Sequence, residues 1–320
     1  GCLPEEILFT SGGTESNNLA LKGAAMANRE RGRHLITSSI EHPAILEVCT
    51  YLEKNGFRVT YLPVDEFGRV NPVDVEKAIT DETFLISIMH ANNEVGTVQP
   101  IKEISKIAHS HNIVMHTDAA QSIGKIPVDV NDLGVDLLSV AGHKIYASKG
   151  IGALFIRKGT LIQKQMHGAN HERNLRAGTE NVLEIVGLGS ACELVTNELD
   201  DFAEHLREMR DAFEQGILER IPWVKINGHP NHRLPNTSSI SFKNLEANTI
   251  LAELTSVAAS AGAACHADRV DVSHVLKAMG LKDEFAMGTI RFSVGRMTTG
   301  EEITQAVTEI AQVVGRHARV

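Results

Sequence analysis

From Glu15 to Arg157 the chain alternates apolar, β-rich runs with segments of helical spacing, and few folds accept that rhythm. The runs are LITSS (35–39), RVTYL (58–62), FLISIM (84–89), IVMHTD (113–118) and IGALFIR (151–157). Helical spacing lies between the first four, as in Ile101, Ile104, Ile107 and Ala108. Strands that are apolar along their whole length are buried on both faces, so the expected core is a mostly parallel sheet covered by helices on each side. In such sheets a ligand lies beyond the carboxyl ends of the strands.

After Gly178 the pattern changes. A long helical region runs to Glu219 with a break near Asn197–Asp201, and strands TSSISF (237–242) and IRFSV (290–294) follow, mixed with helices. The expectation is a large α/β domain over residues 1–197 and a smaller α+β domain over 198–320, ending in a helix from about Gly300. The 320 residues, 42% hydrophobic and 22% charged, suffice for two cores.

Charge and cysteine usage narrow the function classes. Lys and Arg number 31 against 40 Asp and Glu, a net charge of −9, and there is no basic block, so a nucleic-acid footprint is not expected. No apolar run approaches the roughly 18 residues of a membrane span, and a secretory signal peptide is not expected. Cys2, Cys49, Cys192 and Cys265 are widely spaced without a CxxC pair, which argues against a disulfide framework or a zinc site and for a reducing, cytoplasmic setting. The start GCLPEEILFTSGG enters strand-like sequence without a polar lead-in, as expected of a fragment lacking its natural N-terminus.

The residues with chemistry cluster by type. In SVAGHKIYASKG (139–150) Lys144 follows an apolar strand and a Gly-His pair, and alone it reads as a solvated lysine. Asp118 ends the strand IVMHTD, which puts its carboxylate at the ligand edge, and Gln121 follows on the same turn. TSGGTES (10–16) places Gly12 and Gly13 before a helix, where backbone N–H groups and the hydroxyls of Ser11 or Thr14 can hold an anion. A lysine amine, an acid and a phosphate-binding loop are the parts that pyridoxal 5'-phosphate (PLP) chemistry requires. The amine takes the cofactor aldehyde, and the acid keeps the pyridine nitrogen protonated so that the ring acts as an electron sink.

With FTSGGTESNN, EHPAI, ANNEVGTVQPI, HTDAAQSIGKIPVDV, GHKIYASKGIGALFIRKG, ERNLRAGTEN and RFSVGRMTT, the sequence resembles the NifS/IscS-type cysteine desulfurases of the class V aminotransferase group. The resemblance runs from about residue 7 to the end. It implies the PLP-dependent transferase fold type I, with Lys144 binding the cofactor aldehyde, Asp118 facing the pyridinium nitrogen and Gln121 bonding the ring hydroxyl. It further implies that His42 stacks on the ring and assists proton transfer, that Asn93 contacts cofactor and substrate, and that Gly13, Thr14 and His143 hold the phosphate. Thr179 would reach in from the other subunit of a homodimer, Arg291 would clamp the substrate carboxylate, and Cys265 would accept sulfur as a persulfide for transfer to an acceptor protein. Ala141 stands where the family usually has serine, so one phosphate hydroxyl is missing.

Each residue also has a plainer reading. His42 before Pro43 could be a surface residue at a helix start, and Asn93 could simply shape a turn. Arg291 lies in an apolar strand, where a charge needs a partner, and a carboxylate is expected. HSH (109–111), HPNH (229–232) and CHADRVDVSH (265–274) lack convincing metal spacing, so no catalytic metal is expected. Cys265, in SAGAACHADR, is on its own residues open between a small apolar filler and a reactive thiol with His266 beside it. The resemblance selects the reactive thiol.

The expected reaction converts L-cysteine to L-alanine with a persulfide left on Cys265. GAACHAD with RFSVGR also resembles selenocysteine lyases, which release selenide from selenocysteine with the same fold and cofactor. A third reading is a catalytically dead chain that keeps the fold.

Overall fold

The computed structural model describes residues 1–266 and 269–318, with the backbone alone for 263–266 and 269–271. The chain divides into two compact units. The first comprises Gly1–Pro63, Val70–Asn92 and Gln99–Leu199; the second comprises Val64–Arg69, Asn93–Val98 and Asp200–Val320.

The first unit is built on a seven-stranded sheet. Its elements are β1 (Ile7–Thr10), α1 (Gly13–Ala27), β2 (His34–Ser38), α2 (Pro43–Lys54), β3 (Arg58–Leu62), α3 (Pro72–Ala78), β4 (Thr83–Ser87), α4 (Ile101–Ser110), β5 (Val114–Asp118), α5 (Val130–Leu133), β6 (Leu137–Ala141), β7 (Gly152–Ile156) and α6 (Val182–Asn197). Strand order is β1-β7-β6-β5-β4-β2-β3. β2 to β6 pair in parallel, whereas β7 is antiparallel to both β6 and β1. β1 therefore runs in the same direction as β6, and the carboxyl ends of β1 to β6 open at one edge, the edge at which this architecture binds ligands.

Local chemistry explains the elements. β2, β4, β6 and β7 are buried at every position, as two-sided helical cover requires. α4 buries Ile101, Ile104, Ser105 and Ala108 on one face and leaves Lys102, Glu103 and Lys106 exposed. Pro43 supplies the first position of α2, where its missing N–H costs nothing, and the His42 side chain caps the helix by accepting from the Ala44 amide. Leu8, Leu21, Ile45, Leu52, Phe84, Leu85 and Leu154 belong to the core that joins α1 and α2 to the sheet.

The second unit contains α7 (Leu199–Arg220), which begins one residue before it, β8 (Lys225–Asn227), β9 (Thr237–Ser241), α8 (Ala247–Glu253), β10 (Ser260–Ala261), β11 (Ala263–His266), β12 (Arg269–Val272), α9 (His274–Ala278), α10 (Asp283–Ala286), β13 (Thr289–Ser293) and α11 (Gly300–His317). β10, β13, β9 and β8 form an antiparallel sheet in that order, and β11 and β12 form a separate hairpin. Phe213, Phe242, Ile290, Phe292 and Ile310 pack between this sheet and the helices, with the Phe213 and Phe292 rings 4.9 Å apart. α11 opens with a reciprocal capping box between Thr299 and Glu302 and closes with Arg316 and His317 at its negative end.

Candidate active site

Strand ends and the loops after them bring the sequence-predicted residues of the first unit to one edge of the sheet. β2 leads to His42, β5 ends on Asp118 and leads to Gln121, β6 leads through Gly142 to His143 and Lys144, and β1 leads to Gly13 and Thr14.

The loop after β1 fits an anion. Gly12 takes a φ of +148°, a conformation open to glycine, and the helix that follows carries no side-chain cap. The first amides of α1 are therefore left for another acceptor. A Cβ at Gly13 would stand 3.2 Å from the Ala141 Cβ, so a bulkier residue would press this helix start away from the end of β6. Ser11 is drawn elsewhere, since its amide donates to Glu15, which also pairs with Arg176. Thr14 at the start of α1 and His143 in the turn after β6 are both exposed.

Asp118 is the buried anion of the site. Its Oδ2 accepts from Asn17 Nδ2 at 2.6 Å and its Oδ1 from the Ala120 amide at 2.9 Å. Burial pushes its carboxyl above the usual carboxylate range, against the two hydrogen bonds and the Lys144 charge. The surroundings thus supply less positive charge than a buried carboxylate needs, and a protonated pyridine nitrogen is the kind of group that would balance it. Asn17 Oδ1 is also buried without a hydrogen-bond partner. Helix start, buried acid and lysine together fit PLP.

Several residues of this edge were missed by reading the sequence. Asn17 lies one helical turn after Gly13, and that spacing is the signal that could have found it. Glu41 is fully buried, accepting from Ser38 Oγ at 2.6 Å and from the Met89 amide at 2.9 Å, and burial pushes it up to about 8. It ties the turn that carries His42 to the end of β4. Lys125 Nζ donates to the Gln121 carbonyl at 2.9 Å, and burial, then the Lys144 charge, lowers it to about 8. His116 in β5 bridges Ser87 of β4 and Ser139 of β6, and burial pushes it down to about 3. His90 Nδ1 pairs with the Ser122 hydroxyl, and burial pushes it down to about 4.

The remaining predicted residues belong to the second unit or to the surface of the first. Arg291 donates from Nη1 to the Asn93 carbonyl at 2.8 Å and from Nη2 to Ser260 Oγ at 2.9 Å, two neutral oxygens of the protein. Asn93 thus shapes a turn and also touches Arg291. Thr179 is exposed in the loop before α6. Cys265 has its backbone in β11, paired with Val270, and the expectations for its thiol and for His266 lie outside the described residues. Among the described residues, no group of three His, Cys, Asp or Glu side chains could hold a metal ion, and no helix is long and apolar enough to cross a membrane.

Comparison with known proteins places the chain in a family. The aminotransferase class-V family matches residues 3–306. The chain is 50% identical over 316 residues to a cysteine desulfurase IscS of Dictyoglomus turgidum, covering 98% of this chain and 80% of that one. It is 49% identical over 316 residues to a cysteine desulfurase IscS of Methanosarcina thermophila, covering 98% and 78%. A solved NifS-like protein superimposes with a TM-score of 0.92 at 39% identity, covering 99% of this chain and 84% of that chain.

Proposed function

The chain belongs to the aminotransferase class-V family and is a PLP-dependent cysteine desulfurase of fold type I, and on that premise we propose how its residues divide the work. The observation that carries the proposal is the buried Asp118 at the end of the central strand β5, with Asn17 bonded to it and Lys144 as a positive neighbour.

Bound PLP supplies an electron sink for negative charge at the substrate α-carbon. Lys144 would hold the cofactor aldehyde through its amine, Asp118 would accept the ring N–H, and Gln121 would bond the ring hydroxyl. Gly13, Thr14 and His143 would hold the phosphate at the uncapped start of α1. His42 would cover the ring; its Nδ1 already takes the Ala44 amide, which leaves Nε2 for proton transfer. Asn93 would contact cofactor and substrate, and Arg291 would bind the substrate carboxylate as a two-pronged donor.

Cys265 would complete the reaction. Its sulfur forms an S–S bond with the substrate sulfur as the C–S bond breaks, and the pair from that bond goes to the substrate β-carbon, which takes up a proton. L-Cysteine and a thiol become L-alanine and a persulfide, a balanced exchange that needs no outside oxidant or reductant. The persulfide would pass to an acceptor protein. The curated relatives are named for cysteine, which favours this reading over selenocysteine lyase.

The working form would be a cytoplasmic homodimer. α6 leaves Val182 at 65%, Leu183 at 80% and Val186 at 62% exposure, an apolar face suited to a second copy. Thr179 stands three residues before that face, as a residue lent to the partner's phosphate site would. In the test of this function, PLP-loaded protein given one equivalent of L-cysteine should yield one alanine and one persulfide on Cys265 by mass spectrometry. Alanine without persulfide, or a clear preference for selenocysteine over cysteine, would overturn it.

A further inference from the structure

The second unit contains a closed circuit of contacts around the residue proposed to bind the substrate carboxylate. Arg291 bonds the Asn93 carbonyl on one side and the Ser260 hydroxyl on the other. Ser260 begins β10, and two residues later Gly262 is the first foot of the β11–β12 hairpin that carries Cys265. The second foot is Ser273, whose amide donates to the Gly262 carbonyl at 2.9 Å. Ser273 Oγ donates in turn to Glu94 Oε2 at 2.5 Å, and Glu94 follows Asn93 in the chain. The path from Arg291 through Ser260, Gly262, Ser273, Glu94 and Asn93 back to Arg291 is complete.

The Glu94–Ser273 bond joins a carboxylate to a hydroxyl across 179 residues of sequence. A hydroxyl to an ionised carboxylate is among the stronger hydrogen bonds, and it is short here. Ser273 has a second duty, since its Oγ also accepts from the Val275 amide and caps α9. The turn bearing Glu94 is itself fixed. Gly96 takes a φ of +77° with its carbonyl accepting from Leu234, and Thr97 Oγ1 donates to the Phe67 carbonyl at 2.6 Å. Ser273 is thus tied to a rigid anchor.

We propose that Glu94 and Ser273 are positioning residues that latch the foot of the Cys265 hairpin to the Asn93 turn, so that the sulfur acceptor and Arg291 are held as one piece. The proposal rests on the reading of Cys265 as sulfur acceptor and Arg291 as carboxylate clamp. The latch governs how fast sulfur reaches Cys265, and it leaves cofactor binding and cysteine affinity alone.

The experiment uses PLP-loaded wild type, Glu94→Gln, Ser273→Ala, Ser273→Asp, the double variant Glu94→Gln/Ser273→Ala and Cys265→Ser. Ser273→Asp keeps an acceptor for the cap of α9 but removes the donor to Glu94, which separates latch from cap. Three quantities are read: cofactor absorbance, the cysteine concentration that half-saturates its change, and the single-turnover rate of persulfide formation on Cys265 by mass spectrometry. Cofactor content and half-saturation should stay within twofold in every latch variant. Persulfide formation should slow tenfold or more in each, Ser273→Asp included, and the double variant should be no slower than the slower single. Loading within twofold of wild type overturns the latch, as does a parallel loss of cofactor or cysteine binding. Normal turnover by Cys265→Ser would instead sink the reading of the acceptor, and it is scored separately from the latch variants.

Discussion

Asn17 Nδ2 lies 2.6 Å from Asp118 Oδ2, joining the first helix to the end of the central strand. A hydrogen bond to a buried charged group is worth about 1.5–3 kcal/mol. Asn17→Ala should therefore lower thermal stability by that order and weaken PLP binding, both read on one protein by melting and cofactor titration. Asn17→Asp should be worse, since it sets two carboxylates against each other. Unchanged melting and PLP affinity in Asn17→Ala would remove Asn17 from the site.

Lys144 and Asp118 should fail in different ways. Lys144→Ala should lose the visible absorbance that wild type gains with PLP. Asp118→Asn should keep the fold and lose turnover by on the order of 100- to 1000-fold, the scale for one misplaced electrostatic partner. A Lys144→Ala protein with wild-type absorbance would sink the assignment of that lysine.

Stability should depend on pH in a pattern set by three buried groups. His116 and His90 stay neutral in the fold down to about 3 and about 4, while their unfolded value is 6.5. Below pH 6.5 the unfolded chain takes protons that the fold refuses, and each histidine costs about 1.4 kcal/mol per pH unit as pH falls. Glu41 works in the other sense. It is raised from 4.5 to about 8, so its contribution is present below pH 4.5 and is lost as pH rises to 8. Glu41→Gln should steepen the gain of stability between pH 5 and 6.5 and remove a loss between pH 6.5 and 8, in each range by up to about 1.4 kcal/mol per unit. Parallel stability curves for variant and wild type would show that Glu41 does not titrate this way.

The apolar face of α6 predicts an assembly. Leu183→Asp places a charge at a position that is 80% exposed in the single chain, so the fold should tolerate it. Sedimentation should then shift from dimer to monomer, with PLP affinity falling as Thr179 of a second copy is withdrawn. A monomeric wild type at micromolar concentration would contradict this prediction.

The sheet was legible because β-rich apolar runs and helical spacing alternate, and the five runs fall on β2, β3, β4, β5 and β7, whereas β1 and β6 had no run of their own in that series. Lys144 and Asp118 were legible because each follows or ends an apolar strand. Asn17, Glu41 and Ser273 were not. Their roles come from pairings with Asp118, Met89 and Glu94, and no local periodicity encodes a contact across 48 to 179 residues. The grouping of 64–69 and 93–98 with the second unit was hidden for the same reason. These segments read as ordinary connections between strands and helices of the first.

The Asn93–Glu94 turn also has a consequence for the order in which the protein is made. β1 to β7 are complete by Ile156, yet Glu94 waits for a serine added 179 residues after it. At about 5–20 residues per second, that is on the order of ten to thirty-five seconds of translation. A nascent chain can thus own a finished sheet while the second foot of its β11–β12 hairpin, and with it the partner of Glu94, has yet to be made.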